Sequence, residues 1–338
     1  MKLLIKQKQF LRAGFYAGIL LCYSIYGCNK PAGNTPDQAL KGTGTASDAG
    51  DSPALPVPAC IAYVEVNNNN FSNMGCYTLS TGGKVVNVAT IFAANINYLN
   101  ENHALSPVVA LNPQVDYLLT QTAYVKDLQA EGIKVTMSLL NNHDYSGWSQ
   151  FHSQAEADSF ALSVKNAVTE FGLDGIEIDD EYADSTGSQT SIPMAVRAIR
   201  NLLPNIIIGY YLYSDDGVDP GTVLAYKYSD GATFSSLITY AIGNFGDPLS
   251  EYTSSIAKTK LFYESSSSTI TVNADSAKKD GYGGVMLFSA NGSSLSAFQS
   301  VAKAYFGSKV KVSTPTGCLQ PDEGQSSPGA PALTYIPD

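Results

Sequence analysis

Basic side chains are scarce in this sequence: Lys and Arg together number 20 against 30 Asp and Glu, for a formal charge of −10. After the first dozen residues they are scattered, so no basic stripe exists to neutralise a phosphate backbone, and nucleic acid is excluded as a partner. Tryptophan is rarer still, with Trp148 alone. No Gly-rich phosphate loop follows the first candidate strand. The apolar run Ala13 to Ile25 is too short to cross a bilayer as a mature helix. What the chain has instead is 21 tyrosines and 44% hydrophobic residues in 338, enough for a sizeable core. Tyrosine lines sites that bind neutral polar ligands such as sugars, because its ring packs while its hydroxyl bonds.

The basic start (Lys2, Lys6, Lys8, Arg12) followed by that apolar run has the pattern of an export signal over residues 1–27. It ends in Ile25-Tyr26-Gly27-Cys28, which resembles a bacterial lipobox, so Cys28 is the expected lipidation site. Cys22 is the other candidate, but Leu21 before it is not small. A membrane-anchored lipoprotein follows, on the cell surface or the periplasmic side of an outer membrane; ordinary secretion is the alternative. From residue 28 to 59 the composition turns to Gly, Pro, Ser, Thr, Ala and Asp, with nothing to offset the entropy of ordering. A flexible tether is expected, able to reach on the order of 100 Å when extended. Residues 313–338 have a similar composition and are expected to form a tail.

Three cysteines remain in the exported body: Cys60, Cys76 and Cys318. In a barrel the first strand begins and the last helix ends on the same face. The pair placed to approach bonding distance is Cys60 with Cys318, and not Cys76, which lies beyond strand one; three free, partly buried thiols are the alternative.

Short apolar runs recur at Ile61 to Val66, Val85 to Phe92, Lys134 to Leu140, Gly175 to Asp180, Ile206 to Tyr211, Leu237 to Ala241, Lys260 to Glu264 and Gly284 to Phe288. Helical periodicity separates them, clearest at Val115 to Glu131, Gln154 to Phe171, Ile192 to Leu203 and Leu295 to Phe306. Eight strand–helix units in about 250 residues predict an α/β fold, a single-domain (β/α)₈ TIM barrel spanning residues 60–312.

The segment Asp174-Gly175-Ile176-Glu177-Ile178-Asp179-Asp180-Glu181 then becomes strand four. Period-two alternation puts Glu177, Asp179 and Glu181 on one face, about 6–7 Å apart along the strand. Three carboxyl groups so placed cannot all ionise cheaply, so at least one holds or shares a proton, as a general acid must. The interleaved isoleucines argue against a solvated acidic edge. A calcium site would need loop spacing that is absent, and no metal or cofactor is implied.

This segment resembles the D-G-x-D-x-D-x-E signature of family 18 glycoside hydrolases, matching four of its five fixed positions. The stretches Ala62 to Asn69, Ile91 to Tyr98 and Asp179 to Ala183 are similar to the endoglycosidase H and F branch. The likeness runs from Ile61 to about Val310. It implies an endo-β-N-acetylglucosaminidase that cuts between the two core N-acetylglucosamines of high-mannose and hybrid N-glycans. The substrate's own 2-acetamido group would act as nucleophile, with retention. By the same resemblance Glu181 is the acid and base, and Asp179 orients the acetamido group. Glu177 supports them but stands where the family has Asp, one methylene shorter. Where the branch carries an Asn-Pro-Tyr-Tyr-like segment after strand six, this chain has Gly243-Asn244-Phe245-Gly246. Phe245 cannot donate that tyrosine's hydrogen bond, a loss of about 10²-fold unless Asn244, Tyr211 or Tyr213 substitutes.

Glu65, Asn95 and Asn97 lie toward strand C-termini and are expected to contact sugar, as are Tyr182 and Phe245. His143 and Trp148 occupy the loop after strand three, where the indole is expected to stack on a mannose ring. A glycoprotein substrate, a membrane through the lipid anchor and a monomeric state are the expected partners and assembly. A weakened or inactive glycan-binding lipoprotein on the same barrel is the alternative function. A chitinase comes third, because Phe288 stands where those enzymes end strand eight with Trp.

Overall fold

The computed structural model describes residues 53–101, 104–182, 185–214 and 217–338. The signal segment, Cys28 and nearly all of the expected tether lie outside the described residues. Eight parallel strands close on themselves: β1 (Ala59–Glu65), β2 (Val88–Glu101), β3 (Lys134–Asn141), β4 (Gly175–Asp180), β5 (Ile207–Ser214), β6 (Tyr240–Gly243), β7 (Leu261–Ser265) and β8 (Gly284–Leu287). Each pairs with the next, and β1 pairs with both β2 and β8, which makes the ring. This is the expected (β/α)₈ barrel.

Alternation along each strand sorts its residues into two cores. Outward residues such as Ile176 and Ile178 join a large cluster beneath the helices. Inward ones, among them Ile61, Tyr63, Val88, Ile207, Tyr240, Ile242, Phe262 and Met286, fill the barrel. Helices α1 (Pro113–Gln121) and α2 (Tyr124–Ala130) replace the single helix expected at Val115 to Glu131, broken at Thr122 and Ala123. Further on, α3 (Gln154–Phe171) and α4 (Ser191–Leu202) flank β4 in sequence. Helix α3 opens on the N-cap Ser153, which accepts from the Glu156 N–H, while the Glu156 carboxylate accepts from the His152 N–H one residue earlier. It stops at Gly172 in the left-handed region (φ 65°).

The chain then enters β4 under close control. Asp174 accepts from the Val135 N–H (2.9 Å) and from Lys134 Nζ (2.9 Å), which sets the register against β3. A Cβ at Gly175 would lie 2.0 Å from the Ile207 carbonyl, so only glycine fits there. Half of the acidic motif therefore builds the strand that the other half uses.

Two expectations are corrected. Residues 314–338 are held against the barrel rather than left as a tail. Thr334–Ile336 pairs with Val109–Leu111 on the outer strand Ala104–Leu111, and Asp322 accepts from the Asn73 side chain and the Gly292 N–H. The disulfide joins Cys76 to Cys318, not Cys60 to Cys318. Val312–Ser313 runs antiparallel to Thr78–Leu79, carrying the chain back past the short helix Phe71–Cys76, so Cys318 arrives at Cys76. Cys60 faces outward from β1 into the buried helix layer, where burial pushes its thiol up to about 12.

Candidate active site

At the C-terminal ends of the strands lies a cavity of about 530 Å³, where barrel enzymes place their chemistry. Asp179 and Glu181 enter it from β4 and the residues just beyond, Glu65 from β1, and Glu264 from β7. Tyr63, Phe92, Met286 and Phe288 form an aromatic and apolar wall, with the Phe92 and Phe288 rings edge to face at 5.2 Å. Tyr211, Tyr213, Asn244, Phe245 and Tyr182 complete the lining.

Glu177 lies deeper, fully buried in the barrel. Its Oε1 accepts from the Thr136 hydroxyl (2.9 Å) and from the Tyr240 hydroxyl. Burial pushes the Glu177 carboxyl up to about 7, although these donors pull the other way. Its extra methylene is accommodated by Gly209 on β5, where a Cβ would fall 1.6 Å from Glu177 Oε2. Asp179, 3% exposed, is raised well above the usual carboxylate range, first by burial and then by the charges of Glu181, Asp180, Glu264 and Glu177. Of the two acids, Glu177 is the one whose charge is supported by donors. Asp180 points outward and accepts from Asn141 Nδ2 (3.0 Å) and from the Ser149 N–H and hydroxyl, which anchors the loop after β3.

The Tyr211 hydroxyl spans the end of β6, 2.8 Å from Asn244 Oδ1 and 2.9 Å from Glu264 Oε2. Phe245 is half exposed at the rim. Tyr182, at φ 67°, accepts a hydrogen bond through its carbonyl from the His143 N–H (2.9 Å); His143 is itself at φ 52°. Two non-glycine residues in the left-handed region cost on the order of 1 kcal/mol each, and their mutual bond holds Tyr182 against the cavity.

Four expected contacts fall elsewhere. Trp148 is wholly buried, donating from Nε1 to the Leu139 carbonyl (2.7 Å) and packing edge-on to Phe160, so it cannot stack on a sugar. The loop folds its indole under β3 because an apolar ring gains more from the helix layer than from solvent. Asn97 is buried, bonded to Asp144 and Asn142, and ties the β2 extension to the loop after β3. Asn95 donates to the Leu140 carbonyl (3.4 Å). His143 is exposed and does not line the cavity, serving Tyr182 instead. The residues that sequence reasoning missed are Tyr63, Phe92, Met286 and above all Glu264, an acid at the C-terminal end of a strand and on its inward face.

One acid of the β4 pair has its carboxyl raised by burial and neighbouring charge while another lines the same cavity, all within a pocket walled by aromatic rings. This is the equipment of a glycoside hydrolase. The comparisons narrow the class. No protein-family model matches the chain. An endo-β-N-acetylglucosaminidase of Flavobacterium sp. (strain SK1022) is 33% identical over 271 residues, 76% of this chain and 83% of that protein. Endo-β-N-acetylglucosaminidase F1 of Elizabethkingia meningoseptica is 31% identical over 275 residues, covering 74% of this chain and 78% of its own length. Among solved structures, EndoBT-3987 of Bacteroides thetaiotaomicron, crystallised with a Man5GlcNAc product, matches 82% of this chain and 67% of its own with TM-score 0.68 and 25% identity. The chain belongs to the endo-β-N-acetylglucosaminidases of glycoside hydrolase family 18.

Proposed function

We propose that the protein hydrolyses the β-1,4 bond between the two core N-acetylglucosamines of N-linked glycans of the high-mannose or hybrid type, using the substrate's acetamido group as nucleophile. The observation that carries this is Asp179. It is buried, and among the described residues its Oδ1 meets no hydrogen-bond donor. An acetamido N–H placed over it supplies that donor and turns the acetamido oxygen toward the anomeric carbon.

In the first step that oxygen bonds to C1 as the C1–O4 bond breaks, and Glu181 gives its proton to the departing O4. The oxazolinium so formed is positively charged, and the Asp179 carboxyl that accepts its N–H stabilises it. In the second step water attacks C1 from the side the leaving group vacated, Glu181 takes the water's proton, and the ring opens with retention. The wall of Tyr63, Phe92 and Phe288 offers the acetamido methyl an apolar seat. EndoBT-3987 has also been crystallised with a Man9GlcNAc2Asn substrate, which supports the high-mannose assignment. Export and a lipid anchor at Cys28 belong to the same reading, since they would place the cavity outside the cytoplasm, where secreted glycoproteins are met.

The test is to incubate the purified protein with a high-mannose glycoprotein and follow the mass of the protein product. One N-acetylglucosamine left on each modified Asn is expected. Glu181→Gln should lose this turnover by about 10³-fold or more while still binding the glycoprotein. A wild-type protein that binds the glycoprotein without cutting it would replace this reading with glycan capture.

A further inference from the structure

Glu264, like Glu65, is an acid in the cavity to which the scheme above gives no task. It sits on β7, only 7% exposed, with Tyr211 on β5 and Asn244 just past β6. The Tyr211 oxygen lies within hydrogen-bond distance of both Asn244 Oδ1 and Glu264 Oε2. The orientation of the Asn244 amide is set independently, because the same Oδ1 receives the Phe245 N–H at 2.9 Å. A phenol has one proton to donate, and both of its neighbours here are oxygens.

With Glu264 ionised, Tyr211 donates to it and the Asn244 oxygen is left facing the phenol oxygen at 2.8 Å with no proton between them. With Glu264 protonated the chain is complete: Glu264 donates to Tyr211, and Tyr211 donates to Asn244. The surroundings favour the second state. Asp179 and Glu181 approach from β4 and Asp247 from the loop after β6, and β8 places only the uncharged Met286 in register beside Glu264. Burial pushes the Glu264 carboxyl up to about 7, although the Tyr211 hydroxyl and the nearby Phe245 N–H act in the opposite sense.

We propose that Glu264 is a positioning residue which, as the protonated acid, donates to the Tyr211 oxygen so that the Tyr211 O–H can turn from Asn244 to the acetamido carbonyl of the entering sugar. Tyr211 thereby performs from β5 the task for which Phe245, after β6, has no hydroxyl. This rests on the reading of the cavity as an N-acetylglucosaminide hydrolase site. The proton chain from Glu264 through Tyr211 to the acetamido oxygen also polarises the phenol, making it a stronger donor than an isolated tyrosine.

The experiment measures kcat and KM on a Man9GlcNAc2-Asn glycopeptide between pH 5 and 8.5 for wild type, Tyr211→Phe, Glu264→Ala, the double variant and Glu264→Gln, with melting temperatures alongside. Tyr211→Phe and Glu264→Ala should each lower kcat by about 10- to 100-fold, and the double variant should be no more than about 3-fold worse than either single. Glu264→Gln, whose amide N–H donates at every pH, should retain activity within about 5-fold of wild type at pH 6. Its rate relative to wild type should rise as the pH passes 7, where wild type loses the Glu264 proton. Multiplying losses in the double variant, or a Glu264→Gln protein as impaired at pH 6 as Glu264→Ala, would overturn the relay alone. A folded wild type that leaves the glycopeptide uncut would overturn the glycosidase reading and the relay with it.

Discussion

Gly209 should be indispensable because of Glu177, and the dependence can be measured. A Cβ added at 209 would lie 1.6 Å from Glu177 Oε2, 2.7 Å from its Cδ and 2.5 Å from Tyr240 Cε2. A carboxyl at the end of a flexible side chain can usually step aside. This one cannot, since its Oε1 is held by Thr136 and Tyr240 and the residue is fully buried. Gly209→Ala therefore has two outcomes open to it. The barrel strains around the added methyl at about 1–3 kcal/mol, or the carboxyl swings off its donors and forfeits roughly 1.5–3 kcal/mol per hydrogen bond. A loss of about 2–5 kcal/mol in unfolding free energy is expected, with a fall in kcat because Asp179 sits over the displaced group. Glu177→Asp should relieve the clash, since removing one methylene withdraws the carboxyl from position 209. Urea denaturation of wild type, both single variants and the double variant would give a coupling energy, expected to favour the double variant by at least about 1 kcal/mol over the sum of the singles. If Gly209→Ala unfolds within about 0.5 kcal/mol of wild type, or if the two losses add, the packing of Glu177 against this strand has been misjudged.

Three further outcomes follow from burial. Glu177 has a folded pKa of about 7 against 4.5 when exposed, so its contribution to stability is fully present below about pH 4.5 and is lost as the pH rises through 7. The stability of Glu177→Gln relative to wild type should accordingly rise by on the order of 3 kcal/mol between pH 4.5 and 8; a flat difference in denaturation experiments would mean that Glu177 is ionised at low pH. Peptide mapping without reductant should recover Cys76 linked to Cys318 and Cys60 as a thiol that resists alkylation until the protein unfolds. Cys318→Ser should lower stability by up to roughly 5 kcal/mol, the chain-entropy ceiling for so long a loop. Trp148 fluorescence should be blue-shifted and inaccessible to acrylamide, and glycan binding should leave that inaccessibility unchanged; a quencher that is blocked only by bound glycan would place the indole at the site.

The barrel was legible because its strands alternate and its helices repeat at their own period, and both signals survive in a single sequence. Segments shaped by long-range partners were not. The strand Ala104–Leu111 contains Pro107 and pairs antiparallel outside the ring, so no strand–helix rhythm announces it. The closing segment has the composition of a linker, yet Asn73, more than 240 residues away, grips it at Gln320 and Asp322. The disulfide expectation failed for the same reason: it assumed a chain that ended with its last helix. At the site, the β4 acids were found through their spacing, whereas Trp148 was misplaced because a loop's side-chain direction depends on how the loop folds back. Glu264 was available on the rule that located Glu65, a position toward a strand's C-terminus, but it belongs to no motif and has no acidic neighbour in sequence.

The two departures from the family pattern, Glu177 for Asp and Phe245 for Tyr, have a common form of compensation in the barrel. Inward side chains of neighbouring strands meet in layers, so a group lost or enlarged on one strand can be answered by the strand beside it without altering the backbone. The added methylene of Glu177 on β4 is answered by the missing Cβ of Gly209 on β5. The hydroxyl absent from Phe245 after β6 has counterparts in Tyr211 on β5 and Glu264 on β7, which meet across the strand end. In both cases the compensating residue is far away in sequence and adjacent in the ring. A motif read along β4 and β6 alone registers two defects, whereas the layers around them keep a carboxyl beneath Asp179 and the Tyr211 hydroxyl in the lining of the cavity. Chemistry at such a site is set by position in space, and its single-strand signature understates what the barrel holds.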